Sequence, residues 1–236
     1  MEPILLTGFP QGSSLGLVAA FEWLGQPYRL SRVEMPDDMT SEAYARLNGR
    51  QETPVLVTAD GLLTETMAIA LWLESRDRER RISFDPGSWQ AHRLHQHIGF
   101  LNSSFTGAFS PLWAALEMKG VPDDFRDALR KFGRAAVARR HRQLESMIGD
   151  TEYLLGPRPT LADAVFAGVA RWADFHDAVD PKVYPKIQAL KQRLAADPAI
   201  RFARAIEESG VASGSGAMKA MVPLRDVVST EKVAAG

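Results

Sequence analysis

The chain has 236 residues, 45% of them hydrophobic and 24% charged, with a formal net charge of −1 at pH 7. That is enough for one large soluble domain or two small ones, and a charge near zero, with both signs spread along the chain, argues against nucleic acid or an anionic membrane as the main partner. No apolar run reaches the roughly 18–20 residues that span a bilayer, and the absence of cysteine excludes structural disulfides, thiolate zinc sites and catalysis by a protein thiol.

The opening residues, Met1-Glu2-Pro3-Ile4-Leu5-Leu6, lack a basic stretch followed by a long apolar one, so a cytoplasmic location is expected. Residues 4–7 read as a short buried strand and residues 8–12 as a loop. Residues 13–24 read as a helix stopped by Gly25. Residues 28–33 alternate as a strand. Residues 41–47 suggest a short helix, and Asn48-Gly49 a turn. Val55-Leu56-Val57 is an apolar, β-branched run, joined by the hairpin signal Asp60-Gly61 to Leu62-Leu63. Thr64-Glu65-Thr66 then opens a helix that runs through Ile69 and Leu73. The order βαβ, α, ββα matches a thioredoxin-like pattern.

Residues 76–87 are charged and end in Asp85-Pro86-Gly87, where a domain boundary is expected. From Ser88 the period is helical. Residues 89–119 form one long pattern, bent near Gly107 or Pro111. A second helix starts at Pro122-Asp123-Asp124 and runs to Ile148. A third opens at Pro159-Thr160-Leu161-Ala162-Asp163, with Thr160 and Asp163 at capping-box spacing and Asp in place of the usual Glu or Gln. Two more cover residues 182–195 and 198–208. Ser213-Gly214-Ser215-Gly216 begins a tail, residues 213–236, read as extended or disordered. The expected organisation is an α/β domain over residues 1–80 and an all-α domain over residues 88–210.

The ββα stretch carries the chemistry. A helix start has unpaired N–H groups and positive dipole character, so it can hold a small carboxylate. The Thr66 hydroxyl would add a donor, and Glu65 would hold an amine. An amine and a carboxylate on one carbon describe the end of an amino acid or peptide. Pro54 at a strand start is the second unusual feature. A cis bond there would turn the backbone of Thr53 outward, free to pair with a ligand peptide.

Pro54 before a strand, Asp60-Gly61, and Leu63-Thr64-Glu65-Thr66-x-x-Ile69 together resemble the glutathione-binding half of the cytosolic glutathione transferases. Phe109-Ser110-Pro111-Leu112-Trp113 and Gly156-x-x-Pro159-Thr160-Leu161-Ala162-Asp163 resemble the family's helical half, the former its bacterial beta class. The resemblance covers residues 1 to about 210. It implies a thioredoxin-like α/β domain followed by an all-α domain, a homodimer, and glutathione as co-substrate with no further cofactor. It also implies a cis Pro54, with Thr53 pairing to the cysteinyl backbone of glutathione and Glu65 and Thr66 holding the γ-glutamyl end. Arg50 would contact the glycyl carboxylate.

Glutathione must become a thiolate to attack an electrophile. Pro10-x-Gly12-Ser13-Ser14-Leu15 is similar to the beta-class loop, in which a cysteine stands at the Ser13 position. Serine there disfavours reductase chemistry and implies a serine-type mechanism, with Ser13, or alternatively Ser14, donating to the thiol. Thr106 falls where that class has a histidine, Gly107 where it has a lysine, and Ser104 at its acidic position, near the ligand's amine. Phe9, Thr106, Phe109 and Trp113 would line the pocket for a small electrophile; core packing is the alternative for the three aromatics. His92, His95 and His97 lack acidic or thiol partners at ligand spacing, so a solvated face rather than a metal is expected. The residues leave two other readings open. One is a glutathione-dependent peroxidase, isomerase or dehalogenase on the same site. The other is a non-catalytic glutathione- or partner-binding protein of the same fold.

Overall fold

The computed structural model describes residues 2–230. They divide into two compact units, one made of the chain up to Ile82 and again from Ala196, the other of Ser83–Ala195.

The first unit begins with β1 (Ile4–Phe9), α1 (Leu15–Leu24) and β2 (Tyr28–Glu34). β1 and β2 are parallel, with Ile4 beside Arg29 and Phe9 beside Glu34. Gly25, at φ 72°, ends α1 in the left-handed conformation that glycine adopts freely. The one-turn helix α2 (Glu42–Ala45) is capped by Ser41, whose Oγ accepts the Tyr44 N–H at 3.1 Å. β3 (Val55–Thr58) and β4 (Gly61–Thr64) form the expected hairpin, and α3 (Thr66–Arg76) follows.

The second unit is helical. α4 (Trp89–Gly99) starts at Ser88, whose Oγ accepts the Ala91 N–H. It runs into one π-helical turn, Phe100–Phe105, before α5 (Ser110–Glu117). The long apolar pattern therefore breaks where Gly107 and Pro111 predicted, with a wider turn in front of the break. α6 (Asp123–Met147) lies against α5 so closely that a Cβ on Gly133 would stand 2.7 Å from Leu112 Cγ. α7 (Leu161–Ala170) is buried along its whole length, as a helix apolar on every side must be. α8 (Trp172–Phe175) and α9 (Pro185–Ala196) complete the unit. Its core holds Phe105, Phe109, His141 and Phe166, with the Phe105 and His141 ring centroids 4.9 Å apart.

The chain then returns to the first unit, and here the sequence reading needs correction. α10 (Pro198–Ser209) does not belong with the helical unit; it lies along α1. Asp197 caps it by accepting from the Ala199 and Ile200 N–H groups, and the same carboxylate accepts Trp23 Nε1–H at 3.0 Å. The tail, expected to be extended or disordered from residue 213, forms β5 (Met218–Met221) and α11 (Leu224–Thr230). β5 runs parallel to β2 and gives a five-stranded sheet in the order β4-β3-β1-β2-β5. Residues 231–236, the end of the tail, lie outside the described residues. The tail's described part, residues 213–230, holds its place because apolar residues find a partner: Val227 is 1% exposed, in a cluster with Tyr44, Leu47 and Val57 on one sheet face.

Candidate functional site at one edge of the sheet

The register places the candidate residues together. β1 and β3 are antiparallel, with Leu6 beside Val55, and Val55 is in turn beside Thr64 of β4. The C-terminal end of β1, the N-terminal end of β3 and the C-terminal end of β4 therefore share one edge of the sheet, the edge formed by strand ends and not by an outer strand. Ser13 and Ser14 follow the first, Thr53 and Pro54 precede the second, and Glu65 and Thr66 follow the third. The approach is close: a Cβ on Gly8 would stand 2.5 Å from Thr53 Oγ1. A Cβ on Gly12 would stand 2.0 Å from the Gly8 carbonyl oxygen, so the loop turns back on the strand in a way that only glycine fits.

The two serines separate. Ser14 is fully buried. Its Oγ accepts the Gly8 N–H at 3.1 Å and lies 2.9 Å from Thr7 Oγ1. It fastens the loop to the strand and is not available to a ligand, which corrects its place among the candidate catalytic groups. Ser13 is half-buried, just before the α1 N-terminus, and its hydroxyl makes no hydrogen bond to the described residues.

The Thr53–Pro54 bond is cis, as are Phe9–Pro10 and Met35–Pro36. Pro54 is buried and Thr53 half-buried. Glu65 stands exposed at the start of α3 with φ 73° and ψ 125°, a backbone conformation that side chains other than glycine's disfavour. Its carboxylate pairs with the Arg50 guanidinium, which also lies 3.2 Å from Glu52. Arg50, expected on a carboxylate of the ligand, thus sits on the acid expected to hold the ligand's amine. Thr66 is buried as the first residue of the helix, and the first helical bond beyond it runs from Ile69 N–H to the Glu65 carbonyl. The N–H groups of the first turn face outward from the helix end, where the dipole favours an anion.

Phe9 is half-buried, with the Arg32 guanidinium 3.8 Å above its ring. The other pocket candidates belong to the helical unit. Phe109 is fully buried and edge-on to Trp172 at 5.6 Å. It is a core residue, and its expected place in a pocket is corrected. Trp113 is half-buried, stacked on Phe175 at 5.4 Å. Thr106 Oγ1 donates to the Leu101 carbonyl at 2.8 Å, closing the π turn. Ser104 is half-buried beside a groove that Phe132, Arg139 and Arg140 also line.

His92 is exposed, His95 half-buried and His97 fully buried, so the three do not share one solvated face. His97 Nδ1 lies 2.8 Å from the Arg93 carbonyl, and burial lowers its pKa. Among the described residues no group of three or more His, Asp or Glu is placed to hold a metal ion. No helix among them is long and apolar enough to cross a membrane. Asp163 completes the capping box with Thr160. It accepts from Leu154 N–H, Thr160 N–H and Thr160 Oγ–H, while burial pushes its carboxyl up to about 6.

Residues 14–76 match the family model for the N-terminal domain of glutathione S-transferase, and residues 113–198 that for its C-terminal domain. Elongation factor 1-gamma of Schizosaccharomyces pombe is 36% identical over 117 residues, 49% of this chain but 28% of that protein. Glutathione S-transferase GstA of Escherichia coli O157:H7 is 25% identical over 177 residues, 75% of this chain and 81% of its own. The solved structure of a sphingomonad glutathione S-transferase complexed with glutathione superposes with a TM-score of 0.74 at 23% identity, over 89% of this chain and all of that one.

Proposed function

Because the chain belongs to the glutathione S-transferase family, we propose that it binds glutathione at the sheet edge and stabilises its thiolate for attack on a small electrophile. The convergence of Ser13, Thr53, Glu65 and Thr66 on that edge carries the reading. The Thr53 backbone pairs with the cysteinyl backbone of glutathione. The Thr66 hydroxyl and the first N–H groups of α3 take the γ-glutamyl carboxylate, and Glu65 takes the amine. That amine competes with Arg50 for Glu65, which frees Arg50 for the glycyl carboxylate.

A free thiol has a pKa of about 8.5. Lowering it by ~2 units needs ~2.7 kcal/mol of differential stabilisation, at ~1.36 kcal/mol per unit. A hydroxyl donor and the positive end of a ten-residue helix supply stabilisation of this kind. Ser13 and the α1 N-terminus offer both, so the mechanism is serine-type in a chain without cysteine. Glutathione is the co-substrate, the assembly is a homodimer, and the setting is detoxification in the cytoplasm.

A second reading, a glutathione- or partner-binding module without catalysis, is favoured by the likeness to elongation factor 1-gamma, whose name is not that of a transferase. One titration separates them. Glutathione is added to the protein and thiolate absorbance is followed against pH, with Ser13→Ala alongside. A bound thiol with a lowered pKa that Ser13→Ala raises supports the transferase. Binding without ionisation supports the module. No binding at millimolar glutathione refutes the site.

A further inference from the structure

We propose that the C-terminal segment, residues 213–230, is a strap that holds the loop of residues 48–53 in its ligand-binding position. The inference rests on the glutathione-binding reading above.

The strap is fastened at three places. The buried Glu22 carboxylate accepts Tyr28 O–H with one oxygen and Ser215 N–H with the other, each at 2.7 Å. The chain passes close by, since a Cβ on Gly214 would stand 2.5 Å from Glu22 Oε2 and 2.9 Å from Phe202 Cδ2. β5 is then zipped onto β2 by hydrogen bonds that flank the ladder, Tyr28 N–H to Ala217 O at 3.1 Å and Val222 N–H to Leu30 O at 2.7 Å. Finally, α11 lays Val227 into the cluster that contains Tyr44 and Leu47.

Tyr44, and Asn48 next to Leu47, connect the strap to the site. Tyr44 O–H donates to the Glu52 carbonyl at 2.8 Å, and Asn48 Nδ2 donates to the same oxygen at 2.7 Å. Asn48 Oδ1 accepts the Arg50 N–H, and its carbonyl accepts the Gln51 N–H. The residue after Glu52 is Thr53, and Arg50 reaches Glu65. The helix that carries Tyr44, α2, is four residues long. A single turn is not stable by its own hydrogen bonds and holds its place only by packing. α11 lies against it. The strap therefore acts on the ligand through α2, with Tyr44 as the positioning residue.

The test uses the full chain carrying Val227→Asp, which places a carboxylate in the apolar cluster. Amide exchange at residues 48–53 is measured without ligand, glutathione Kd by calorimetry, and retention of the fold by circular dichroism. Apparent Kd rises in inverse proportion to the competent fraction, so a strap docked one time in ten weakens binding about tenfold. The expected result is that weakening together with faster exchange at 48–53. Unchanged exchange and unchanged Kd overturn the proposal. Should Val227→Asp fail to fold, Tyr44→Phe decides: loss of one hydrogen bond is expected to raise Kd about fivefold. A lowered Tm with Kd unchanged would mark Tyr44 as structural and refute the strap. A wild-type chain that does not bind glutathione overturns the functional reading instead, and the exchange at 48–53 then decides the strap by itself.

Discussion

Replacing Glu65 by glycine should separate what the residue does for the ligand from what it costs the fold. Its φ of 73° is a conformation that costs a residue with a Cβ about 1–2 kcal/mol. Glycine removes that cost but gains freedom in the unfolded chain, worth about 0.5–1 kcal/mol against it. It also loses the pair with Arg50, both of whose side chains are about half exposed, so the pair contributes roughly 0.2–1 kcal/mol. Glu65→Gly should therefore fall within about 1 kcal/mol of the wild type. Glu65→Ala loses the same pair and keeps the strain. The difference between the two variants isolates the backbone, and glycine should be the more stable by about 0.5–1 kcal/mol. Both should lose the charge-assisted bond to the ligand's amine, worth about 1.5–3 kcal/mol or a ten- to hundredfold rise in Kd. Urea unfolding gives the first quantity and calorimetric titration with glutathione the second. Glu65→Gly less stable than Glu65→Ala would refute the strain, and glutathione binding at wild-type strength in either variant would refute the ligand role.

Ser14→Ala should lower stability by about 1–3 kcal/mol, because the buried Gly8 N–H and Thr7 hydroxyl lose their partner; Ser13→Ala should leave the urea midpoint nearly unchanged while raising the pKa of bound glutathione. Asp163→Ala should cost at least about 3 kcal/mol, since it orphans three buried donors, read as a lowered Tm of the helical unit. Burial holds His141 down to about 4 from its ordinary 6.5, so the unfolded chain binds more protons there. Its contribution is fully present above pH 6.5 and lost as pH falls towards 4, about 3 kcal/mol in all. Asp163, raised from 3.8 to about 6, has the opposite sign and loses its contribution as pH rises through that window. His141→Leu should therefore remove the rise in stability with pH that this group contributes between about 4 and 6.5, so that the variant gains less Tm than the wild type over that window, measured as Tm against pH.

The ββα segment was legible because each of its signals is local: a hairpin dipeptide, a proline at a strand start, an acid and a hydroxyl at a helix start. The choice between Ser13 and Ser14 was not, since adjacent hydroxyls have the same propensities and only the turn at Gly12 decides which is folded under. Phe109 looked equally suited to pocket or core, and its burial follows from Trp172, some sixty positions away in the chain. The tail was misread for a similar reason. Met218-Lys219-Ala220-Met221 has no β-branched residue and follows a Gly-Ser run, so its strand comes from the open edge of β2 and not from its own preference. Nothing in the periodicity of residues 89–119 distinguished a π turn from an α turn.

The return of the chain from Ala196 to its first unit has a consequence for synthesis on the ribosome. The sheet's central strands emerge early, but the fifth strand ends at Met221, 139 residues after Ile82 (221 − 82). At about 5–20 residues per second, that gap lasts roughly 7–28 s. During it the nascent chain presents β2 as an open edge, the kind of surface that recruits a neighbouring strand. Crowding of ribosomes on one message should thus favour strand exchange between nascent copies, and slow translation past residue 196, which lengthens the gap, should lower the yield of soluble protein.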